Sequence, residues 1–221
     1  MMIKIKMAHI KRIMIVALLM LTQATILKAE DGHALWLRNG SGTKVSISSQ
    51  VHSSIVDLAT NELRKGWLGK ENMVLKLNLS KNPAIKGDGF QLEEAAINAR
   101  TELGLLYGTY ELLRRQYLNL PQRNVISNPS YSRRILNHWD NLDGSIERGY
   151  AGSSIFWGNT ANGLNITNQD REKWKVYARA NASIGINGAV LNNVNASAKI
   201  LSPAYLEKVK AIAESLRPYG I

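Results

Sequence analysis

The sequence predicts an α/β protein in which a small α/β domain is followed by the beginning of a parallel β-α-β-α unit. Segments with the two-residue period of strands are followed by segments whose apolar residues recur every three or four positions, as they do in helices. The hydrophobic fraction, 45% of 221 residues, is that of a chain that buries a core. A wholly disordered chain is thereby excluded.

Residues 1–29 have the composition of a secretory signal peptide. Basic residues come first, at Lys4, Lys6, Lys11 and Arg12. The apolar run that follows, 13–21, is too short to span a bilayer comfortably, and no later membrane span is predicted. Cleavage is predicted after Ala24 or, preferably, Ala29, with an uncleaved membrane anchor as the alternative. We therefore expect export to the periplasm or the extracellular space.

Charge and composition exclude several classes of function. Removal of the leader lowers the net charge from +11 to +6, because the leader holds five basic residues and no acid. The remaining charges are scattered, so nucleic-acid binding is not expected. The chain has no cysteine, and its four histidines lack the spacing of metal ligands, so we expect neither a metal nor another cofactor.

Residues 30–128 are predicted to form the first α/β domain. Strands are expected at 34–38, 42–49, 73–80, 90–94 and 95–100. Leu75, Leu77 and Leu79 are expected on the buried face of the third strand. Ser53 or Ser54 caps a helix that ends at Gly66 or Gly69.

A second helix, of about four turns, is predicted to begin after Thr101. Its apolar stripe consists of Leu103, Leu106, Tyr107, Tyr110, Leu113 and Tyr117. Gly104 and Gly108 each cost up to about 1 kcal/mol relative to Ala in helix propensity, so close packing on a sheet is expected there. Segment 121–132, with Pro121 and Pro129, predicts a linker, and the domain boundary is placed near residue 128.

Residues 129–221 repeat a strand and a helix twice, an order typical of a parallel sheet or barrel. The predicted elements are a strand at 133–139, a loop at 141–167, a helix at 168–185, a strand at 186–193 and a helix opened by Ser202 and Pro203. The second helix is expected to bury Leu206, Val209, Ile212, Ala213 and Leu216. Two strands cannot close such a sheet, so the chain is expected to be the beginning of a longer protein.

Polar side chains follow both strands of this second domain. The segment 138–144, HWDNLDG, ends the first strand, and Asn192 and Asn193 end the second. In a (β/α)8 barrel the active site lies at the carboxyl ends of the strands, so these residues are expected at one rim. A tryptophan offers an apolar face to a sugar ring, Asp and Asn offer paired hydrogen bonds, and no phosphate-binding motif occurs. The pattern favours a carbohydrate site.

We predict seven substrate-binding residues at this rim. They are Trp139, Asp140, Asn141, Glu147, Arg148, Asn192 and Asn193. Each has a structural alternative: core packing for the tryptophan, turn formation for the first Asp and Asn, and a loop-ordering ion pair for Glu147 and Arg148. At most one of Asn192 and Asn193 is expected to point inward, since successive strand residues face opposite sides. His138 is expected behind the site and Asp143 in a turn.

Three stretches of the sequence also resemble one known family. Residues 133–157, RRILNHWDNLDGSIERGYAGSSIFW, resemble the start of the catalytic barrel of family 67 glycoside hydrolases, the xylan α-glucuronidases. Residues 183–196 and 212–221 resemble the continuation of that barrel. Residues 87–114 resemble the family's small N-terminal α/β domain, a type shared with hexosaminidases.

The resemblance implies a hexosaminidase-type α/β domain followed by the first βαβα part of a (β/α)8 TIM barrel. It implies removal, with inversion, of 4-O-methylglucuronic acid that is α-1,2-linked to xylo-oligosaccharides (aldouronic acids), and a homodimeric full-length enzyme. Trp139 is implied to line the sugar subsite, and the rim Asp and Asn residues to bind it or to order its loops. Inversion needs a carboxylic acid and a carboxylate base. In the family these lie on later strands, so no catalytic residue is expected up to Ile221.

Two alternatives stay open. The chain could act as a non-catalytic carbohydrate-binding or degenerate fragment that lacks the catalytic carboxylates. Asp140 and Glu147 could serve as the acid and base themselves, although both lie on one early loop.

Overall fold

The computed structural model describes residues 35–37, 40, 45–69, 73–158, 164–195 and 197–221. The predicted signal peptide, residues 1–29, lies outside the described residues. Trp36 to Ile221 form one compact unit.

A five-stranded mixed sheet dominates the first half of this unit. Its strands are β1 (Val45–Ser49), β2 (Met73–Leu79), β3 (Phe90–Leu92), β4 (Ala96–Ala99) and β5 (Val125–Ser127). They lie in the order β1-β2-β4-β3-β5, with β1, β2 and β4 parallel and β3 antiparallel to both of its neighbours. The helices α1 (Ser54–Gly66) and α2 (Glu102–Tyr117) pack on each other, and α2 packs on the sheet. The mixed α/β class and both helices are confirmed.

Several local predictions in this half were wrong. The strand expected at 34–38 is contradicted by residues 35–37, which form a turn and an irregular residue. The expected linker contains β5, whose Ile126 pairs with Gln91 of β3, because the edge of β3 offers backbone groups that need partners. Leu77 is buried as predicted, but Leu79, the last residue of β2, is exposed, as is Tyr117 at the end of α2.

The two glycines of α2 explain how closely the helix lies on the sheet. A Cβ at Gly108 would come within 2.6 Å of Cγ2 of Ile97, and one at Gly104 within 2.9 Å of Cβ of Ala99. The predicted close packing is therefore confirmed. All residues from Gly104 to Tyr110 are buried, so the helix is covered on more sides than a single apolar stripe predicts.

The second half has the predicted β-α-β-α order. It consists of β6 (Ile135–Asn137), α3 (Asn168–Ala182), β7 (Gly188–Val190) and α4 (Pro203–Leu216), with short 3-10 helices at Ala198–Leu201 and Arg217–Tyr219. The two strands are parallel, with Leu136 opposite Ala189. Helix α3 begins with a capping box, in which the Thr167 side chain accepts from Asp170 N and the Asp170 carboxylate accepts from Thr167 N.

The buried face of α4 is rotated from the predicted one. Its buried residues are Lys208, Ala211, Ile212, Ser215 and Leu216, whereas Leu206 is exposed. Ile212 and Leu216 are thus buried as predicted. The prediction was wrong for Leu206, because a pattern of apolar residues could not include the buried Lys208. Helices α3 and α4 pack together around a second core that contains the loop residues Phe156 and Trp157.

An ion pair joins the two halves of the unit. Arg179 of α3 donates from Nε and Nη2 to the two carboxylate oxygens of Glu62 on α1, at 2.7 and 2.8 Å. The Glu62 side chain is 6% exposed. This hydrogen bonding raises the pKa of Arg179, so the guanidinium stays charged at neutral pH. Ala182, at the end of α3, also packs in the core of the first half.

The Glu62–Arg179 pair should make a measurable contribution to stability. Glu62→Gln keeps the shape but leaves the partly buried guanidinium without a countercharge, so we expect the free energy of unfolding to fall by about 2–4 kcal/mol. Glu172→Gln is the matched control, because Glu172 pairs with Lys175 on the exposed surface of α3 and should change stability by about 0.5 kcal/mol or less. Urea unfolding of both variants tests this, and equal losses would contradict the assigned role.

Candidate functional site

The carboxyl ends of β6 and β7 are held side by side. His138 N donates to Val190 O at 3.0 Å, and Asn193 N donates to Asp140 O at 2.7 Å, so the parallel pairing continues beyond both strands. The segments 138–141 and 191–193 thus form a common rim, at the end where parallel α/β folds place their ligands. We call these two segments, with the loop 142–157, the rim.

Trp139 is the exposed aromatic side chain at the end of β6. Trp139 is 43% exposed, which contradicts the alternative that it packs in the core. Its backbone is fixed, since Trp139 O accepts from Glu147 N at 2.9 Å. An exposed indole on a fixed backbone offers an apolar face on which a sugar ring can stack.

Asp140 is buried, at 3% exposure, and its carboxylate is bound within the protein. Oδ2 accepts a hydrogen bond from Ser154 Oγ, which in turn accepts from the backbone N of Phe156 and of Trp157, both at 3.0 Å. Asp140 therefore anchors the far end of the loop and presents no free carboxylate at the surface. This geometry disfavours Asp140 as a catalytic acid or base.

The near end of the loop is ordered by side-chain hydrogen bonds. Asn141 Nδ2 donates to Ser145 Oγ at 3.0 Å and to Glu147 O at 2.8 Å. Asp143 accepts from Ser145 N at 2.9 Å, so its predicted role in a turn is confirmed.

Glu147 has a φ of +57°, and Arg148 is exposed. Both belong to the described residues, but no ion pair joins them, contrary to the structural alternative.

The two asparagines after β7 differ in exposure, as their alternating direction predicts. Asn193 is 6% exposed, and its Oδ1 accepts from Asn195 N at 3.0 Å, which commits it to the turn. Asn192 is half-buried, and its Nδ2 donates to Asn193 O at 3.2 Å. Asn192 is therefore the more accessible of these two amides.

The side chain of His138 is packed inside the protein, as predicted, in an aromatic cluster that the sequence did not reveal. Its ring packs edge-on against Phe156, with centroids 5.1 Å apart, and its Nε2 lies 2.7 Å from Tyr177 Oη. Burial lowers the pKa of His138, although Asp140 opposes the shift, and burial raises the pKa of Tyr177 to about 12. The His138 ring and the Tyr177 hydroxyl share one hydrogen bond, whose donor is set by the tautomer of the histidine. Nδ1 lies 3.8 Å from Asp140 Oδ1.

A buried tryptophan and a buried lysine hold the end of the loop 142–157 in place. Trp157 Nε1 donates to Leu191 O at 2.7 Å, which ties the loop to the end of β7. Lys208 of α4 is 4% exposed and donates to Trp157 O at 3.3 Å, with Nζ 5.7 Å from the indole centroid. Burial lowers the pKa of Lys208, and Asp170 opposes that shift. The sequence offered a signal for the tryptophan only, as the last residue of the 133–157 block.

The part of the chain that the structure describes contains neither a candidate metal site nor a candidate membrane helix. Across residues 45–69, 73–158, 164–195 and 197–221, no group of three or more His, Asp and Glu residues could hold a metal ion. In the same ranges no helix combines the length and the apolar character needed to cross a membrane.

Comparison with known proteins points to one family. Residues 114–221 match the family described as glycosyl hydrolase family 67 middle domain. A probable alpha-glucuronidase A of Neosartorya fischeri is 43% identical over 147 residues, which is 64% of this chain and 17% of that protein. An alpha-glucuronidase A of Aspergillus tubingensis is 31% identical over 244 residues, covering 89% of this chain and 28% of that protein. The chain thus spans less than a third of the length of these relatives.

A solved structure shares the fold at low sequence identity. It is a GH138 enzyme targeting pectin rhamnogalacturonan II, with a TM-score of 0.52 and 12% identity, over 80% of this chain and 30% of that one. At this identity the likeness concerns the fold alone.

Asp140 and Trp139 are adjacent but should differ sharply in their effect on stability. Asp140→Ala leaves the buried hydroxyl of Ser154 without its acceptor, so we expect a loss of about 2–3 kcal/mol in the free energy of unfolding. Trp139→Ala removes an exposed side chain and should cost about 1 kcal/mol or less. Denaturant titration measures both, and a larger loss for the tryptophan would show that it is a core residue.

Stability should also depend on pH through His138. Burial lowers its pKa in the folded protein, whereas in the unfolded chain the residue titrates near its ordinary value of about 6.5. Below about pH 6.5 the unfolded chain binds more protons, so the free energy of unfolding should fall until the pH is below the folded-state pKa. His138→Gln should flatten this dependence, and His52→Gln, at an exposed histidine, should keep it. Equal slopes in the two variants would exclude His138 as the cause.

Proposed function

We propose that this chain, which belongs to glycoside hydrolase family 67, is the N-terminal part of an α-glucuronidase. The single observation that carries the proposal is the family match over residues 114–221, because that range contains the whole rim. The names of the relatives, alpha-glucuronidase A, give the activity proposed here.

The proposed substrates are aldouronic acids, that is, xylo-oligosaccharides that carry α-1,2-linked 4-O-methylglucuronic acid, and the proposed mechanism is inversion. Inversion requires a general acid and a general base on opposite faces of the sugar, far enough apart to admit a water molecule. Asp140 is buried and bound to Ser154, so it is a poor candidate for either role. We propose that both catalytic carboxylates belong to later strands of a (β/α)8 TIM barrel whose first units are formed by residues 129–221.

Within this scheme the rim supplies part of the sugar-binding wall. Trp139 is proposed to stack on a sugar ring, since it is exposed and its backbone is held by Glu147 N. Arg148 is exposed and Asn192 is half-buried, so both are proposed to hydrogen-bond to the sugar. The buried residues Asp140 and Asn193 position these groups and do not contact substrate themselves.

We further propose that the whole protein is exported, has a hexosaminidase-type N-terminal domain and forms a homodimer. The composition of residues 1–29 supports export to the periplasm or the extracellular space. The resemblance of residues 87–114 supports a hexosaminidase-type N-terminal domain, and the same family resemblance supports a homodimer.

Release of glucuronic acid from aldouronic acids by the full-length gene product tests the activity. Trp139→Ala should lower kcat/KM by about 10- to 100-fold, which corresponds to about 1.4–2.7 kcal/mol of lost binding in the transition state. Tyr131→Ala is the matched control, because Tyr131 is equally an exposed aromatic residue but precedes β6, at the opposite end of the strand.

The stereochemistry of the product gives a second test. NMR spectra taken during the first turnovers should show the β-anomer of the released acid, as inversion at an α-linkage requires. Sugar binding without any release would favour the non-catalytic carbohydrate-binding alternative over the hydrolase.

A further inference from the structure

A cleft of about 350 Å³ lies at the opposite end of the β6–β7 pair from the rim. Arg134 and Gly185, which come just before the two strands, line one side of it, and Phe90, Tyr107 and Pro129 of the first half line another. Its volume is within the range of small-molecule sites in proteins, about 300–1,000 Å³.

Two buried hydrogen-bond donors line this cleft. Tyr107 is 8% exposed, and among the described residues neither its hydroxyl nor Nη2 of Arg134 has a hydrogen-bond partner. Nη2 lies 3.7 Å from Asp88 Oδ2, which is an ion-pair distance and too long for a hydrogen bond. Buried polar groups are normally satisfied, so both donors remain able to give a hydrogen bond to an oxygen atom placed in the cleft.

Both donors are held in fixed positions. The guanidinium of Arg134 lies 5.5 Å from the centroid of the Tyr107 ring, and its Nε and Nη1 donate to Gly185 O and Tyr131 O. Burial raises the pKa of the Tyr107 hydroxyl, against the effect of the neighbouring Arg134, so the hydroxyl stays protonated at neutral pH. Preorganised donors lose little conformational freedom when a ligand binds.

The four charged side chains that line the cleft balance one another. Arg134 lies beside Asp88, and Arg114 donates to the two oxygens of Glu111 at 2.7 and 2.8 Å. Two guanidinium groups and two carboxylates leave no net charge to select an anion. Each hydroxyl of a sugar both donates and accepts, so a lining of paired donors and acceptors suits a neutral saccharide. Ile184, which is 69% exposed, adds apolar surface beside these groups.

We propose that this cleft is a saccharide site additional to the rim, and that it binds a neutral sugar. Xylo-oligosaccharide is named as the ligand because of the proposed function, on which that choice rests. The chemistry of the cleft, by contrast, depends only on the groups that line it.

Calorimetric titration of xylobiose into the full-length protein carrying Trp139→Ala tests the site, because this background weakens binding at the rim. Tyr107→Phe removes one hydroxyl and keeps the ring beneath Arg134, so it should weaken xylobiose binding about tenfold. Tyr110→Phe is the matched control. The Tyr110 hydroxyl is also buried without a partner among the described residues, on the same helix, but it does not line the cleft. This control should bind as the Trp139→Ala protein does.

Each outcome decides between the possibilities. Absence of xylobiose binding in the Trp139→Ala protein, or equal losses in the two tyrosine variants, would overturn the site, and tighter binding of glucuronate than of xylobiose would overturn its neutral specificity. If Tyr107→Phe fails to fold, Ile184→Asp, at an exposed position, replaces it and should weaken binding as well. Glucuronic acid release by the unmodified protein is measured separately, so a failed hydrolase and a failed cleft give different results.

Discussion

The hydrogen bond from Asn193 N to Asp140 O is the contact on which the arrangement of the rim depends. It belongs to a closed network of hydrogen bonds. In this network the Asp140 carboxylate accepts from Ser154 Oγ, Ser154 Oγ accepts from Trp157 N, and Trp157 Nε1 donates to Leu191 O. Because β6 and β7 contain only three residues each, their backbone pairing alone gives little rigidity. These hydrogen bonds extend the pairing, so the backbone that carries the exposed indole of Trp139 is held in place.

The same two strands are tied to the first half of the unit at their other ends. Arg134 contacts Asp88 and the Tyr107 ring there, and the buried Glu62–Arg179 pair provides a second link between the halves. The cleft lies at the first of these contacts, since Arg134, Asp88 and Tyr107 all line it. The junction that gives the unit its cohesion is thus also where a second ligand could be held.

Much of the local structure was determined by the sequence alone, because the interactions that set it span only a few residues. Ser53 and Thr101 cap their helices as predicted, and Pro203 opens α4. The closeness of Gly108 to the sheet followed from the cost of a glycine inside a helix. The neighbouring positions of 138–141 and 192–193 followed from the rule that parallel strands point their carboxyl ends to one edge.

Only the tertiary structure decided which of the polar residues are exposed. Asp140 and Asn193 are buried, whereas their sequence neighbours Trp139 and Asn192 are accessible, and this depends on a loop residue, Ser154, fourteen positions away. The pairing of Val125–Ser127 with β3 and the contact of Glu62 with an arginine 117 residues later likewise join distant segments. Burial and pairing are decided by which segments meet in the folded chain, and a periodic pattern within one segment carries no information about its partner.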